Sequence, residues 1–175
     1  MNTLKRFLLL FLLIHFALLS CASKAPNLIR FAAEEGAAQY YFPMMIWKQK
    51  SGNIKAECDF TYRYQTGFDA ICNISFMFEK GREGTFPGLP DSASFEAGGK
   101  QYPLRGISSL FSDGQKKTQR ITSTLPGEEF LELIKNDELA LNASIDGSRY
   151  RFIAPKKFFP YRDEVLSSMN GQEMK

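Results

Sequence analysis

Two neighbouring stretches alternate strictly between apolar and polar residues, and they constrain the fold more than anything else in the chain. In Asn53–Gln65, NIKAECDFTYRYQ, residues Ile54, Ala56, Cys58, Phe60, Tyr62 and Tyr64 point one way and the intervening residues the other. In Gly67–Glu79, GFDAICNISFMFE, the shared face is Phe68, Ala70, Cys72, Ile74, Phe76 and Phe78. Side chains of a strand leave alternate faces, so a period of two marks half-buried β-strands. A hairpin turning near Gln65-Thr66-Gly67 sets Cys58 opposite Cys72 on the apolar face. The two could then bond across the hairpin if the chain reaches an oxidising compartment. Closing that loop is worth about 3 kcal/mol in the chain-entropy model. Two buried, unbonded thiols are the alternative. The spacing is not that of a C-x-x-C redox pair.

The rest of the chain continues the strand pattern. LIRFAAE and AQYYFPMMIWKQK read as strands, with Pro43 placing the second at an edge or a bulge. SASFEAGGKQYPLRGISSLF suggests two strands around Gly98-Gly99, and KKTQRITSTL another. In ELALNASIDGSRYRFIA the Asp146-Gly147 pair predicts a type I′ hairpin turn. Helical spacing occurs in two places. Phe130, Leu133 and Ile134 follow Pro126, and Phe158, Tyr161, Val165 and Met169 line one side of KKFFPYRDEVLSSM. These elements predict a mainly β (α+β) domain: an antiparallel β-sandwich or a curled sheet, with two short helices in the C-terminal third.

Two segments stand out as candidate contact surfaces. Alternation through QYYFPMMIW puts Tyr40, Phe42, Met44 and Ile46 on one face and Tyr41, Met45 and Trp47 on the other. A strand apolar on both faces is either sandwiched, here beneath the C-terminal helix, or exposes a sticky patch. The expected patch is Tyr41, Met45 and Trp47. The loop Lys80–Asp91 carries Phe86 and Leu89 as apolar tips, and loops on a rigid scaffold often bind.

The N-terminus points to a location. Lys5 and Arg6 precede Phe7–Leu19, FLLLFLLIHFALL. As a helix this run spans about 20 Å, short of a hydrocarbon core of about 30 Å. Residues 1–20 therefore read as a signal peptide. Its ending, Leu18-Leu19-Ser20-Cys21, resembles the lipobox of bacterial lipoproteins. Leu18 lies three positions before the cysteine and the small Ser20 just before it. Leu19 is bulkier than the family's usual residue there. The resemblance implies cleavage before Cys21, a diacylglycerol on its thiol and an N-acyl chain such as palmitate on its new amino group. Ala22, which is not aspartate, implies the outer rather than the inner membrane. Residues 21–27 then form the lipidated N-terminus and a short tether, residues 28–170 a single globular domain, and residues 171–175 a frayed tail.

Composition narrows the chemistry. The sole histidine, His15, leaves with the signal, which removes the usual base of Ser-His-Asp and Cys-His systems and the commonest zinc ligand. No P-loop or dinucleotide fingerprint occurs. Loss of Lys5 and Arg6 leaves 20 basic residues against 19 acidic ones, too even a balance to favour nucleic acid. Each carboxylate has a structural use: Glu128, Glu129 and Glu132 open one helix, Asp163 and Glu164 another, and Asp146 a turn. No catalytic residue, metal site or cofactor is expected beyond the lipid on Cys21. The expectation is a lipid-anchored, non-catalytic envelope module that binds another envelope component. A carrier for an apolar ligand, suggested by 16 Phe, 7 Tyr and one Trp, is the alternative, and a carboxylate hydrolase a distant third.

Overall fold

A computed structural model of the chain describes residues 29–32, 38–49, 54–65, 67–78, 88–113 and 118–170. The signal segment, Cys21, the tether, Phe86 and the tail lie outside the described residues. The strands are β1 (Ile29–Ala32), β2 (Ala38–Lys48), β3 (Ile54–Tyr64), β4 (Ala70–Phe78), β5 (Ser92–Ala97), β6 (Lys100–Pro103), β7 (Arg105–Asp113), β8 (Thr118–Leu125), β9 (Leu139–Ile145) and β10 (Ser148–Ile153). The helices are α1 (Gly127–Ile134) and α2 (Phe158–Asn170). Among the described residues these strands make one antiparallel sheet in the order β6-β5-β9-β10-β2-β3-β4-β8-β7, with β1 also on β2.

The sheet curls almost closed. In a flat sheet β3 and β5, four strand steps apart, would lie about 19 Å from each other. Their Phe60 and Phe95 rings are 5.5 Å apart, centre to centre. Phe76 of β4 and Phe152 of β10, three steps apart, meet at 5.9 Å. The two ends of the strand order, β6 and β7, follow one another in the chain through Leu104 alone. The antiparallel curled sheet expected from the alternation is therefore the architecture found. Its seam is the β10–β2 join, where, among the described residues, only Ile153 and Lys48 pair. The other stretch of that β2 edge, residues 38–41, pairs with β1.

The centre is filled with aromatic rings. Trp47 touches Phe60, Phe95 and Phe158 at 6.2, 5.6 and 6.0 Å. Phe42 stacks on Phe158 at 5.5 Å and meets Phe60 and Phe130 edge-on at 5.9 Å. Phe130, Leu133 and Ile134 of α1 and Phe158, Val165 and Met169 of α2 point into this core, as their helical spacing predicted. Tilted and edge-on pairs of this kind contribute about 0.5–1.5 kcal/mol each beyond the area they bury. Lys100 of β6 and Arg105 of β7 bind Glu132 and Glu129 of α1 at 2.6 and 3.3 Å, tying the helix to the corner where the sheet's ends meet. Arg162 fixes α2 by donating from Nη1 to the Asn136 carbonyl at 2.8 Å and to Asp137 at 3.0 Å.

Three local expectations are corrected. The first concerns β2. Phe42 pairs with Phe60 but Met45 with Cys58, so β2 carries one extra residue at Pro43-Met44. Proline has no N–H for the ladder and is tolerated inside a sheet at such a bulge. The extra residue reverses the phase of everything after it. Tyr40 and Phe42 face inward before the bulge, and Met45 and Trp47 face inward after it, at 2% and 0% exposure. Met45 and Trp47 are thus core residues, Trp47 against Phe158 of α2, not a surface patch.

The second correction is the register of the β3–β4 hairpin. Cys58 lies across from Ile74, and Cys72 across from Phe60. The connection runs to Asp69, with Gly67 at φ +83° and Phe68 N–H donating to the Gln65 carbonyl at 3.3 Å. That places the turn's centre one residue later than expected and shifts every partner by two. The cysteines are therefore diagonal neighbours, and both are free, buried thiols. Burial pushes both thiols well above their ordinary pKa, with Cys72 and then Asp59 adding to the effect at Cys58. The longer turn also puts Phe68 at the surface.

The third correction is that the segment after Gly98-Gly99 is two strands, not one. It breaks at Leu104 and continues as β7 on the opposite edge of the sheet. The Asp146-Gly147 turn forms as expected, with both residues at positive φ (50° and 72°).

Candidate interaction surface

The curled sheet has one inner face and, on either side of the seam, two outer faces. The face of β2-β3-β4-β8-β7 can be read off the register. One row runs Tyr41, Thr61, Ile71, Thr124, Arg105, and another runs Ile46, Glu57, Ser75, Arg120, Phe111. Between them lie Asp59, Asn73, Thr122 and Ser108. Its middle is a polar knot. Arg120 donates from Nη2 to Asp59 Oδ1 at 2.6 Å and from Nη1 to Ser75 Oγ at 2.9 Å. Asn73 Nδ2 donates to Asp59 Oδ2 at 2.8 Å. Both charges are largely covered and each has its partner, the condition under which a half-buried ion pair is tolerated.

Around that knot the face is greasy. Met44 and Ile46 are 50% and 38% exposed, Ile71 43% and Phe111 51%. Phe68 in the β3–β4 turn and Leu110 beside Phe111 are similarly open. β7 itself is twice bulged against β8, and Gly106 takes φ +61° at the first irregularity. Bulges twist an edge strand and make it a poor template for another strand, so what β7 offers is its side chains.

The outer face of β6-β5-β9-β10 is built differently. Glu96 accepts from Arg151 Nη2 at 3.0 Å, Asn142 Nδ2 at 2.8 Å and Gln101 Nε2 at 3.1 Å. Ser94 Oγ donates to Gln101 Oε1 at 2.7 Å. The Arg151 hydrogen bond, followed by that from Asn142, holds the Glu96 carboxyl below the usual carboxylate range. Among the described residues, no large apolar side chain of these four strands is exposed.

A cleft of about 290 Å³ opens between the β3–β4 turn and the start of α1, walled by Tyr62, Tyr64, Phe68, Asp69 and Glu128. Burial, then the neighbouring Tyr64 and Tyr40, push the Tyr62 phenol up to about 12. Among the described residues, no cluster of His, Cys, Asp and Glu is arranged to hold a metal ion, and no helix is long and apolar enough to cross a membrane.

The expected contact residues separate. Tyr41 is half-buried on the greasy outer face, Met45 and Trp47 lie in the core, and Leu89 is exposed just ahead of β5, apart from the others. Met44, Ile46 and Phe111 were not singled out by sequence reasoning. The signal for the first two was Pro43, because a proline inside an alternating run marks the place where the phase can change. No protein-family model matches the chain, and comparison with curated proteins and with solved structures gives no match.

Proposed function

We propose that this chain is a bacterial envelope lipoprotein, exported, cleaved before Cys21 and lipidated there. In this reading its β-rich domain is a non-catalytic module that meets another envelope component through the outer face of β2-β3-β4-β8-β7. The location rests on Lys5-Arg6, the short apolar run and the lipobox resemblance at Leu18–Cys21. The role rests on one observation above all: two outer faces of one sheet, one closed by hydrogen bonds and the other bearing Met44, Ile46, Ile71 and Phe111. The ring-filled centre supports a module that works from its surface over a carrier that encloses an apolar ligand. The carboxylates support a non-catalytic role as well. Asp59, Glu96, Glu129 and Glu132 have cationic partners, and Glu96 and Glu132 are held low, where a general acid would be held high.

Feeding cells a clickable palmitate analogue tests the anchor. The wild-type chain should take up label and fractionate with membranes. Cys21→Ser should do neither. Label on both chains, or on neither, would remove the reading.

A further inference from the structure

Two local events build the cleft between the β3–β4 turn and α1. The longer turn brings Phe68 and Asp69 out beside the helix. The helix then starts with a glycine directly after Pro126. A Cβ at Gly127 would lie 2.4 Å from the Phe68 carbonyl oxygen and 3.4 Å from Tyr62 Cε2. A larger residue there would push the turn off the helix, so Gly127 lets the two walls close to about 290 Å³. Tyr62 lines this space and is 3% exposed. Buried tyrosine hydroxyls usually find a hydrogen-bond partner. The Tyr62 hydroxyl has none among the described residues, and its ring edge faces the start of the helix. The charges around it have one sign. Asp69, Glu128 and Glu129 are in the wall, and among the described residues no Lys or Arg is. Glu129 has Arg105 at 3.3 Å, whereas Asp69 and Glu128 have no cationic partner among the described residues. A helix N-terminus favours anions, but two glutamates already occupy this first turn and repel another. Tyr64 and Phe68 add aromatic surface. Arg63, which does not line the cleft, sits over the Phe68 ring at 4.4 Å, so that ring already attracts one cation.

We propose that this cleft binds an alkylammonium group, a primary amine on an apolar stem. The ammonium donates to the Tyr62 hydroxyl oxygen and pairs with Asp69 and Glu128, and the stem lies along Tyr64 and Phe68. An ammonium has three donors and no acceptor, which matches a wall of carboxylates and a phenol oxygen. The volume suits so small a group, since pockets for drug-sized ligands start at about 300 Å³. The site is separate from the contact proposed for the greasy face and holds whether or not Cys21 carries lipid. A free amine and the lysine side chain of a partner protein share this chemistry.

The test titrates the isotope-labelled chain, purified in neutral detergent, with n-butylammonium and with uncharged n-butanol. The amide signals of Gly67 and Gly127 are read by nuclear magnetic resonance. n-Butylammonium should shift both in a saturable way, with a dissociation constant on the order of millimolar, and n-butanol should not. Tyr62→Phe keeps the ring against Phe130 and removes only the hydroxyl, so binding should weaken about fivefold with no loss in urea midpoint. Asp69→Asn combined with Glu128→Gln should also weaken it about fivefold. Arg105→Gln should act the other way, tightening binding about twofold, because it releases Glu129. No saturable shift, equal shifts from n-butanol, or unchanged affinity in folded Tyr62→Phe and double variants would overturn the site. N-acetyl-lysine methylamide, with the norleucine compound as its uncharged control, then sorts the source. Tighter binding than n-butylammonium supports the site as one for a partner's lysine, and weaker binding supports it as one for a free amine. Loss of the palmitate label would overturn the anchor and leave this site standing.

Discussion

The two outer faces come from the same alternation and rest on the same core, yet one is finished toward water and the other is not. On β6-β5-β9-β10, Glu96 collects three donors and Ser94 adds a fourth link through Gln101. On β2-β3-β4-β8-β7 the Asp59–Arg120 knot holds the middle, Gln39 donates to the Tyr41 hydroxyl toward one end of β2, and large apolar side chains are exposed around the knot. Polar ladders stabilise a face in water, whereas exposed Met, Ile and Phe add little to a monomer's stability. The contrast separates residues that hold the fold from exposed apolar residues that add little to it.

That separation requires a common core, and Trp47 is the place to break it. Its indole sits on β2 and touches Phe60 on one side of the seam and Phe95 on the other. Among the described residues the seam itself carries one register pair, Ile153–Lys48, so the rings add a connection between the halves that the ladder there does not supply. Trp47→Ala should cost about 3–5 kcal/mol, as large-to-small changes of buried aromatics do. Domains of this kind have only about 5–15 kcal/mol in total. Urea unfolding followed by far-ultraviolet circular dichroism should show one transition at a much lower midpoint. Two separated transitions would mean that the halves fold independently and that the comparison sets two units side by side.

The polar face gives a smaller and pH-dependent effect. The folded-state pKa of Glu96 is lowered, first by the Arg151 hydrogen bond and next by that from Asn142. Its contribution is therefore complete above the unfolded glutamate value of about 4.3 and is lost as the pH falls through the lower folded value. Arg151 is half exposed and Glu96 more than a quarter exposed, so solvent screens the pair. Glu96→Gln should cost no more than about 1 kcal/mol at neutral pH. The gap from wild type should shrink as the pH drops to about 3, below the unfolded value. Unfolding midpoints at the two pH values decide it. An equal gap at both would show that the ladder works through shape and not charge.

Much of this architecture was legible because alternation is a local property. β3, β4, β9 and their inward residues follow from a period of two, and Phe130, Leu133 and Ile134 from helical spacing. What was not legible depends on single-residue slips. One extra residue at Pro43-Met44 exchanged the faces of Met44–Trp47, so Met45 and Trp47 of the expected patch became core while Tyr41 stayed on the outer face. A turn centred one position later turned a facing cysteine pair into a diagonal one. A slip of this size leaves no trace in composition, yet it moves every following side chain to the other face or to a new partner. The exposure of Phe111 was hidden for another reason. Nothing local to RGISSLFSD says that the chain, after Leu104, crosses to the far edge of the sheet.

The smallest expected effect is the most discriminating. Met44 and Met45 are adjacent and chemically identical, and only the bulge places them on opposite faces. Met44→Ala removes a side chain that packs little, so stability should stay within about 0.5 kcal/mol of wild type. Met45→Ala opens a cavity among buried side chains and belongs with the costly core truncations, about 2–5 kcal/mol. Thermal or urea midpoints of the two variants, measured side by side, read the phase of β2 directly. Equal losses would place both methionines in partly buried positions and erase the bulge. The reverse order would put the original alternation back, with Met45 and Trp47 on the contact face. A near-silent Met44→Ala beside a costly Met45→Ala leaves Met44 free of any structural task, as a residue kept at the surface for contact must be.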